Sequence, residues 1–164
     1  IVYIANFIGS ILVTWMIWKI GLFASGADMF GAITVKVAVG KVNMTFVNCL
    51  LSGIMCNWLV SLAVWMATGA DSTIGKIFAI FFPIWMFVTC GFEHCIANMY
   101  AIPAGIFAAA NPAFVELSGV TAEALSNLTW AGMAINNLVP ATIGNIIGGG
   151  FFVATMYWLG LKKS

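Results

Sequence analysis

Long apolar runs separated by short polar stretches organise the chain. The first run covers about residues 1–22 and is interrupted by Asn6, Gly9, Ser10, Thr14 and Lys19. Trp15 and Trp18 stand where an aromatic belt meets a bilayer surface, so this run predicts a membrane-spanning helix. Residues 25–43 hold Asp28, Lys36, Lys41 and three glycines, and predict an ordered loop or a short interfacial helix. A second span is predicted over about residues 44–66. It carries Asn48, Ser52, Cys56, Asn57 and Ser61, more small polar groups than a lipid-facing surface accepts, so one face looks inward. Asn48, Ser52 and Cys56 follow one another by four residues as a stripe. Asn57, nine residues beyond Asn48, points roughly the opposite way at about 100° per residue.

Residues 74–110 are apolar with Pro83 and Pro103 inside them, and Gly91-Phe92-Glu93-His94-Cys95 interrupts the run. Each half is too short or too interrupted for an ordinary span. The pattern therefore predicts one discontinuous helix, broken at 91–95 near the membrane midplane, where membrane proteins place binding sites. Residues 111–137, with Glu116, Glu123 and many Ala, Ser and Thr residues, predict a polar connection at one interface. The last span is predicted over about residues 140–161. Its Gly144-Asn145-Ile146-Ile147-Gly148-Gly149-Gly150 stretch offers a small-residue surface for close helix contact, and Lys162 and Lys163 stop it.

Composition supplies the solvent. Of 164 residues, 63% are hydrophobic and 7% charged, and the mean hydropathy of +1.08 calls for lipid around a single all-α transmembrane domain. A net charge of +1 and the absence of arginine leave no basic surface for nucleic acid, which is therefore excluded as a partner, while the lipid bilayer is expected. Cys49, Cys56, Cys90 and Cys95 all fall in apolar stretches and read as small packing residues, not as a disulfide framework. The chain opens on Ile1-Val2-Tyr3-Ile4 with no initiator Met or signal-peptide flank, which leads us to expect a fragment of a longer protein. Lysines divide three against three between the two sides and set no orientation.

Glu93 and His94 are ionisable groups in the middle of an apolar region, where a residue such as Asp costs at least about 2.5 kcal/mol to insert. His94, the one histidine in the chain, titrates near neutral pH and could pass a proton to an anion or discriminate against it. The alternative is a neutral imidazole hydrogen-bonded within a helix break. Glu93 fits best as a residue that ties the break together through backbone N–H groups. Cys90, His94 and Cys95 lack a fourth ligand and match no common zinc spacing, so no metal or cofactor is expected. Lys41 could raise the local potential for anions, or snorkel to headgroups as an interfacial lysine. Asn57 and Asn98 are of the type that ties membrane helices together.

Gly91-Phe92-Glu93-His94-Cys95-Ile96-Ala97-Asn98-Met99-Tyr100 resembles the signature of the formate/nitrite transporter family, which includes hydrosulfide channels. Lys41-Val42-Asn43-Met44-Thr45-Phe46, Cys56-Asn57-Trp58-Leu59-Val60 and Pro140-Ala141-Thr142-Ile143-Gly144-Asn145 extend the resemblance in the family's order over essentially the whole chain. The resemblance implies spans three to six of a six-span, aquaporin-like protomer with its own pore, assembled as a homopentamer in the inner (plasma) membrane. The first two spans, with the family's other broken helix, would then lie outside this chain. It also implies that His94 is the central pore histidine, that Asn57 lies beside the pore, and that Lys41 raises the anion potential. Gly91, Glu93 and Asn98 would support the helix break.

The expected function is a channel for small monovalent anions and their conjugate acids, formate first, with nitrite or hydrosulfide as other cargo. A membrane-embedded enzyme or redox subunit would call for paired histidines or a cysteine cluster, and one histidine argues against it. A structural membrane scaffold accounts for the glycine surface and leaves Glu93 and His94 without a purpose.

Overall fold

The computed structural model describes residues 1–162; Lys163, one of the two expected stop residues, lies outside them. Among the described residues the helices are α1 (Val2–Lys19), α2 (Met29–Val42), α3 (Phe46–Thr68), α4 (Thr73–Thr89), α5 (Cys95–Ala108), α6 (Pro112–Ser118), α7 (Ala122–Ser126) and the run α8 (Trp130–Leu161), with one 3-10 turn at Leu22–Ala24. In α8 the turns widen to π-helix over Met133–Leu138 and Ile147–Thr155. α1, α3 and α8 are long and apolar enough to cross a membrane. α5 and α6 form a further candidate pair, bent by 113°. Trp18 under the Lys19 ammonium and Trp158 under that of Lys162 place cation–π pairs at two helix ends.

The chain divides into two compact units, one of Ile1–Thr45 with Ile96–Val139, the other of Phe46–Cys95 with the residues from Pro140 onward. In the first, α2 is the central element. Residues 25–43 were expected to be a loop or a short interfacial helix, yet α2 runs for 14 residues, and Val35, Ala38, Val39 and Val42 are buried on one face. Their i, i+3, i+4, i+7 spacing is a full helical stripe. Gly31 permits close approach instead of breaking the helix, with the Phe114 ring over it, and on the facing α5 a Cβ at Gly105 would overlap that of Ala38. Met99, Ile102, Ala104 and Ala108 of α5 complete this core with Phe114, Met133 and Leu138.

The expected connection at 111–137 contains two short helices and the start of α8. Each start is capped: Asn111 accepts from the Ala113 N–H, Thr121 from Ala124 and Thr129 from Gly132, and Gly119 closes α6 in the left-handed region.

The second unit packs α4 and the later part of α8 along α3. The buried residues of α3 are Cys49, Gly53, Cys56 and Ala63, a seam of small side chains. Gly144 and Gly148 of α8 meet this seam so closely that a Cβ on either would overlap the carbonyl oxygen of Leu50 or Ile54. Aromatic pairs flank it, Trp58 stacked on Phe152 with centroids 4.6 Å apart and Trp65 tilted against Tyr157 at 4.9 Å. α4 presents Phe78, Phe81, Phe82 and Trp85 outward, as a lipid-facing helix does.

Candidate functional site

The break after α4 has a specific backbone cause. Gly91 adopts φ +67°, and the amides behind it turn back into the helix: Gly91 N–H donates to the Val88 carbonyl at 3.0 Å and Phe92 N–H to that of Phe87, also at 3.0 Å. This pattern, six residues closed back to one, satisfies the last carbonyls of α4 inside an apolar region where water is scarce. A side chain at Gly91 meets no steric obstacle among the described residues, so the penalty there lies in the backbone. Gly91→Ala is expected to destabilise the protein by about 1 kcal/mol and Gly91→Asn by less, measured as thermal unfolding in detergent. Equal melting of the Ala variant and wild type would remove this account of the break.

Phe92, Glu93 and His94 follow without helix, and α5 begins at Cys95. Glu93 is 2% exposed, and its backbone N–H donates to Ser52 Oγ at 3.0 Å. His94 is half-buried with its ring stacked on Phe87, centroids 5.7 Å apart. On either side of it sits one carboxamide. Asn145 Nδ2 donates to the Glu93 carbonyl at 2.9 Å, and Asn145 Oδ1 accepts from the Cys95 N–H at 2.9 Å. The same Nδ2 donates to the Gly53 carbonyl of α3, at 2.9 Å. Asn57 then reaches from α3 to α8, its Nδ2 donating to the Asn145 backbone carbonyl at 2.7 Å. Of the polar stripe read from the sequence, Ser52 serves the break, Cys56 is fully buried in the seam, and Asn48 is exposed.

Lys41 and Asn98 belong to a second cluster, in the other compact unit. Lys41 is half-buried in the last turn of α2. Helix ends leave carbonyls without intrahelical partners, and here asparagines take them. Asn43 Nδ2 donates to Val39, Asn137 Nδ2 to Lys41 at 3.1 Å, and Asn136 Nδ2 to Val42. Asn137 is fully buried and accepts from Asn98 Nδ2 at 2.7 Å. The structure thus joins Asn98 through Asn137 to the backbone that carries Lys41. Asn43 is tied further to the α7 region, donating to the Ala124 carbonyl and accepting from Asn127.

Sequence reasoning missed Asn145, Ser52, Asn136 and Asn137 as parts of these clusters. The signal available was their polarity within or beside apolar runs, the same criterion that singled out Asn57 and Asn98. Among the described residues no group of three His, Cys, Asp or Glu side chains gathers as a metal site requires, and the four cysteines are thiols.

Comparison with known proteins follows the same residues. The profile of the formate/nitrite transporter family matches residues 1–159. The chain is 42% identical over 164 residues to the uncharacterized transporter YrhG of Bacillus subtilis, covering 99% of this chain and 54% of that protein. It is 40% identical over 160 residues to the formate channel FocA of Escherichia coli, covering 96% of this chain and 56% of that protein. It therefore spans about half the length of the curated relatives it matches. Among solved structures, a pentameric formate channel with formate bound superposes with a TM-score of 0.87 at 37% identity, over 98% of this chain and 64% of that one. An FNT family ion channel superposes at 0.74 with 28% identity, over 96% and 56%. The fold is a helical membrane-channel fold.

Proposed function

The chain belongs to the formate/nitrite transporter family, and from that membership we propose that the protein containing it is a membrane channel for small monovalent anions and their conjugate acids, with formate the principal cargo. Nitrite and hydrosulfide are the alternative cargoes within the same reading. The observation that carries it is a titratable side chain, His94, at an interruption between two apolar helices where side chains of Ser52 and Asn145 bond the backbone of Glu93 and Cys95 on either side of it. A chain that needed only to fill a membrane gains nothing from an imidazole there. The close match to a formate channel with formate bound supports the choice of formate.

In this reading α4 and α5 are the two arms of one interrupted span in a single transmembrane domain. Lys41 draws anions toward the entrance, Asn57 stands beside the path, and His94 is at its centre, where protonation lets a neutral acid leave. Gly91 and Glu93 support the backbone around His94, whereas Asn98, expected to support the same break, acts through Asn137 on the backbone that carries Lys41. The N-terminus of α5, one residue beyond His94, adds the positive end of a helix dipole at the break. Assembly is a homopentamer in the inner membrane, as the family relationship and the pentameric neighbour favour. The glycine surface is not the reason for it, since Gly144 and Gly148 are packed against α3 within one chain.

The test is uptake of labelled formate, nitrite and sulfide in parallel by the full-length protein in liposomes, with native mass spectrometry for the pentamer. Formate is expected to enter fastest. His94→Asn retains hydrogen bonding and loses titration, so it is expected to flatten the pH dependence of flux while the protein still assembles. Absence of uptake for all three anions would overturn the reading, and an unchanged pH profile in His94→Asn would remove the protonation role.

A further inference from the structure

We propose that Asn145 is a positioning residue that fixes the direction in which the His94 ring projects, and that Asn57 acts on His94 through Asn145. Two peptide planes meet at the His94 Cα. One contains the Glu93 carbonyl and the other the Cys95 N–H, and φ and ψ of residue 94 are the rotations between them. A single carboxamide holds both planes, donating to the first at 2.9 Å and accepting from the second at 2.9 Å. With both planes fixed, the direction of the His94 Cα–Cβ bond is fixed, and stacking on Phe87 limits the remaining side-chain rotations.

Chemistry leaves the amide no second orientation. Cys95 N–H can only donate, and the carbonyls of Glu93 and Gly53 can only accept, so oxygen and nitrogen of the carboxamide each have one workable position. Asn145 is 5% exposed, so water does not replace these bonds when they are lost. Its own backbone is held in turn. Asn57 Nδ2 donates to the Asn145 carbonyl at 2.7 Å, at the point where α8 passes from α-helical turns into the π-helical stretch beginning at Ile147. Widened turns weaken the internal support for carbonyls just before them, and a side-chain donor from α3 supplies it.

The inference depends on the pore reading only for its consequence for flux, and the test separates the two. Full-length protein labelled with 15N-histidine is compared with its His94→Asn variant to identify the His94 ring signals, at one fixed pH. Wild type is expected to give one set of signals. Asn145→Asp keeps the acceptor and loses the donors to the Glu93 and Gly53 carbonyls, so its His94 signals are expected to split or shift, with formate flux reduced about tenfold, the scale of the one lost bond that bears on His94, that to Glu93. Asn57→Leu is expected to move the same signals less. The double variant is expected to be no worse than Asn145→Asp alone, since both act on one element.

Wild-type His94 signals in an assembled Asn145→Asp protein would overturn the proposal, and independent multiplication of the two losses would overturn the relay through Asn145. Where Asn145→Asp does not assemble, Asn57→Leu decides the matter, because it leaves the bonds to Glu93 and Cys95 in place. A folded Asn57→Leu protein with unmoved His94 signals overturns the proposal. If wild type carries none of the three anions, the pore reading fails, and the positioning inference still stands or falls on the spectra.

Discussion

Lys41→Glu is expected to abolish formate entry, while Lys41→Arg keeps most of it. In the pore reading the lysine acts through its charge, and a unit charge about 8 Å from a passing anion is worth about 2 kcal/mol at an effective dielectric constant of about 20. Removing the charge should then lower entry roughly thirtyfold, and reversing it roughly a thousandfold. The backbone beneath the side chain is held separately, by Asn137 on the Lys41 carbonyl and Asn136 on that of Val42, so the substitutions leave its anchorage in place. A structural alternative comes from the same geometry. A cation in the last turn of α2 also stabilises the helix terminus, typically by about 0.3–1 kcal/mol. Salt separates the two roles: added electrolyte should slow wild type more than Lys41→Ala, because screening removes only what the charge supplied. Initial uptake rates in proteoliposomes for the Arg, Ala and Glu variants at two ionic strengths test this. Equal losses in Arg and Glu, with no difference in salt response, would make Lys41 a structural contact.

The helical character and the interruption around residues 91–95 were legible in the sequence because lipid simplifies the reading. In an apolar chain each ionisable or carboxamide side chain stands out, and Glu93 and His94 did. What stayed hidden is which polar groups meet. Asn57 and Ser52 lie five residues apart on α3; Ser52 meets the break directly, and Asn57 meets the residue that holds it. No periodicity contains that information, since it depends on where Asn145 of a distant helix arrives.

α2 was obscured for another reason. Three glycines and two lysines read as an ordered loop or a short interfacial helix, although Val35, Ala38, Val39 and Val42 trace the buried face of a 14-residue helix. Glycine is a poor helix former in water, but it is the residue that lets Phe114 lie on α2 and α5 approach Ala38, so packing overrides propensity. The short helices after Asn111 went unread, although their caps mark them. Asn111-Pro112, Ser118-Gly119 and Thr121-Ala122-Glu123 are start and stop signals that the overall polarity of the segment masked.

Gly148→Ala and Gly144→Ala are expected to be the most damaging single-methyl changes in the second unit. At each position the new Cβ would overlap a backbone carbonyl of α3, that of Ile54 or Leu50, and a backbone atom within a helix cannot rotate away as a side chain does. Relief requires α8 to move off α3. That movement lengthens the Asn145 bond to the Gly53 carbonyl and separates the Trp58–Phe152 stack, so the loss belongs at the upper end of the overpacking range, about 3 kcal/mol. Gly150 and Gly160 provide the controls, because a Cβ on either meets nothing within 4 Å among the described residues. Alanine there should be neutral or stabilising by up to about 1 kcal/mol through helix propensity. Thermal unfolding of the four variants in detergent, with native mass spectrometry of each assembly, distinguishes packing inside the chain from contact between chains. If the ridge joined neighbouring subunits, Gly150→Ala would weaken the assembly along with the others. If it serves α3, only Gly144→Ala and Gly148→Ala lower the melting temperature, and equal behaviour of Gly148→Ala and Gly150→Ala would refute the seam described here.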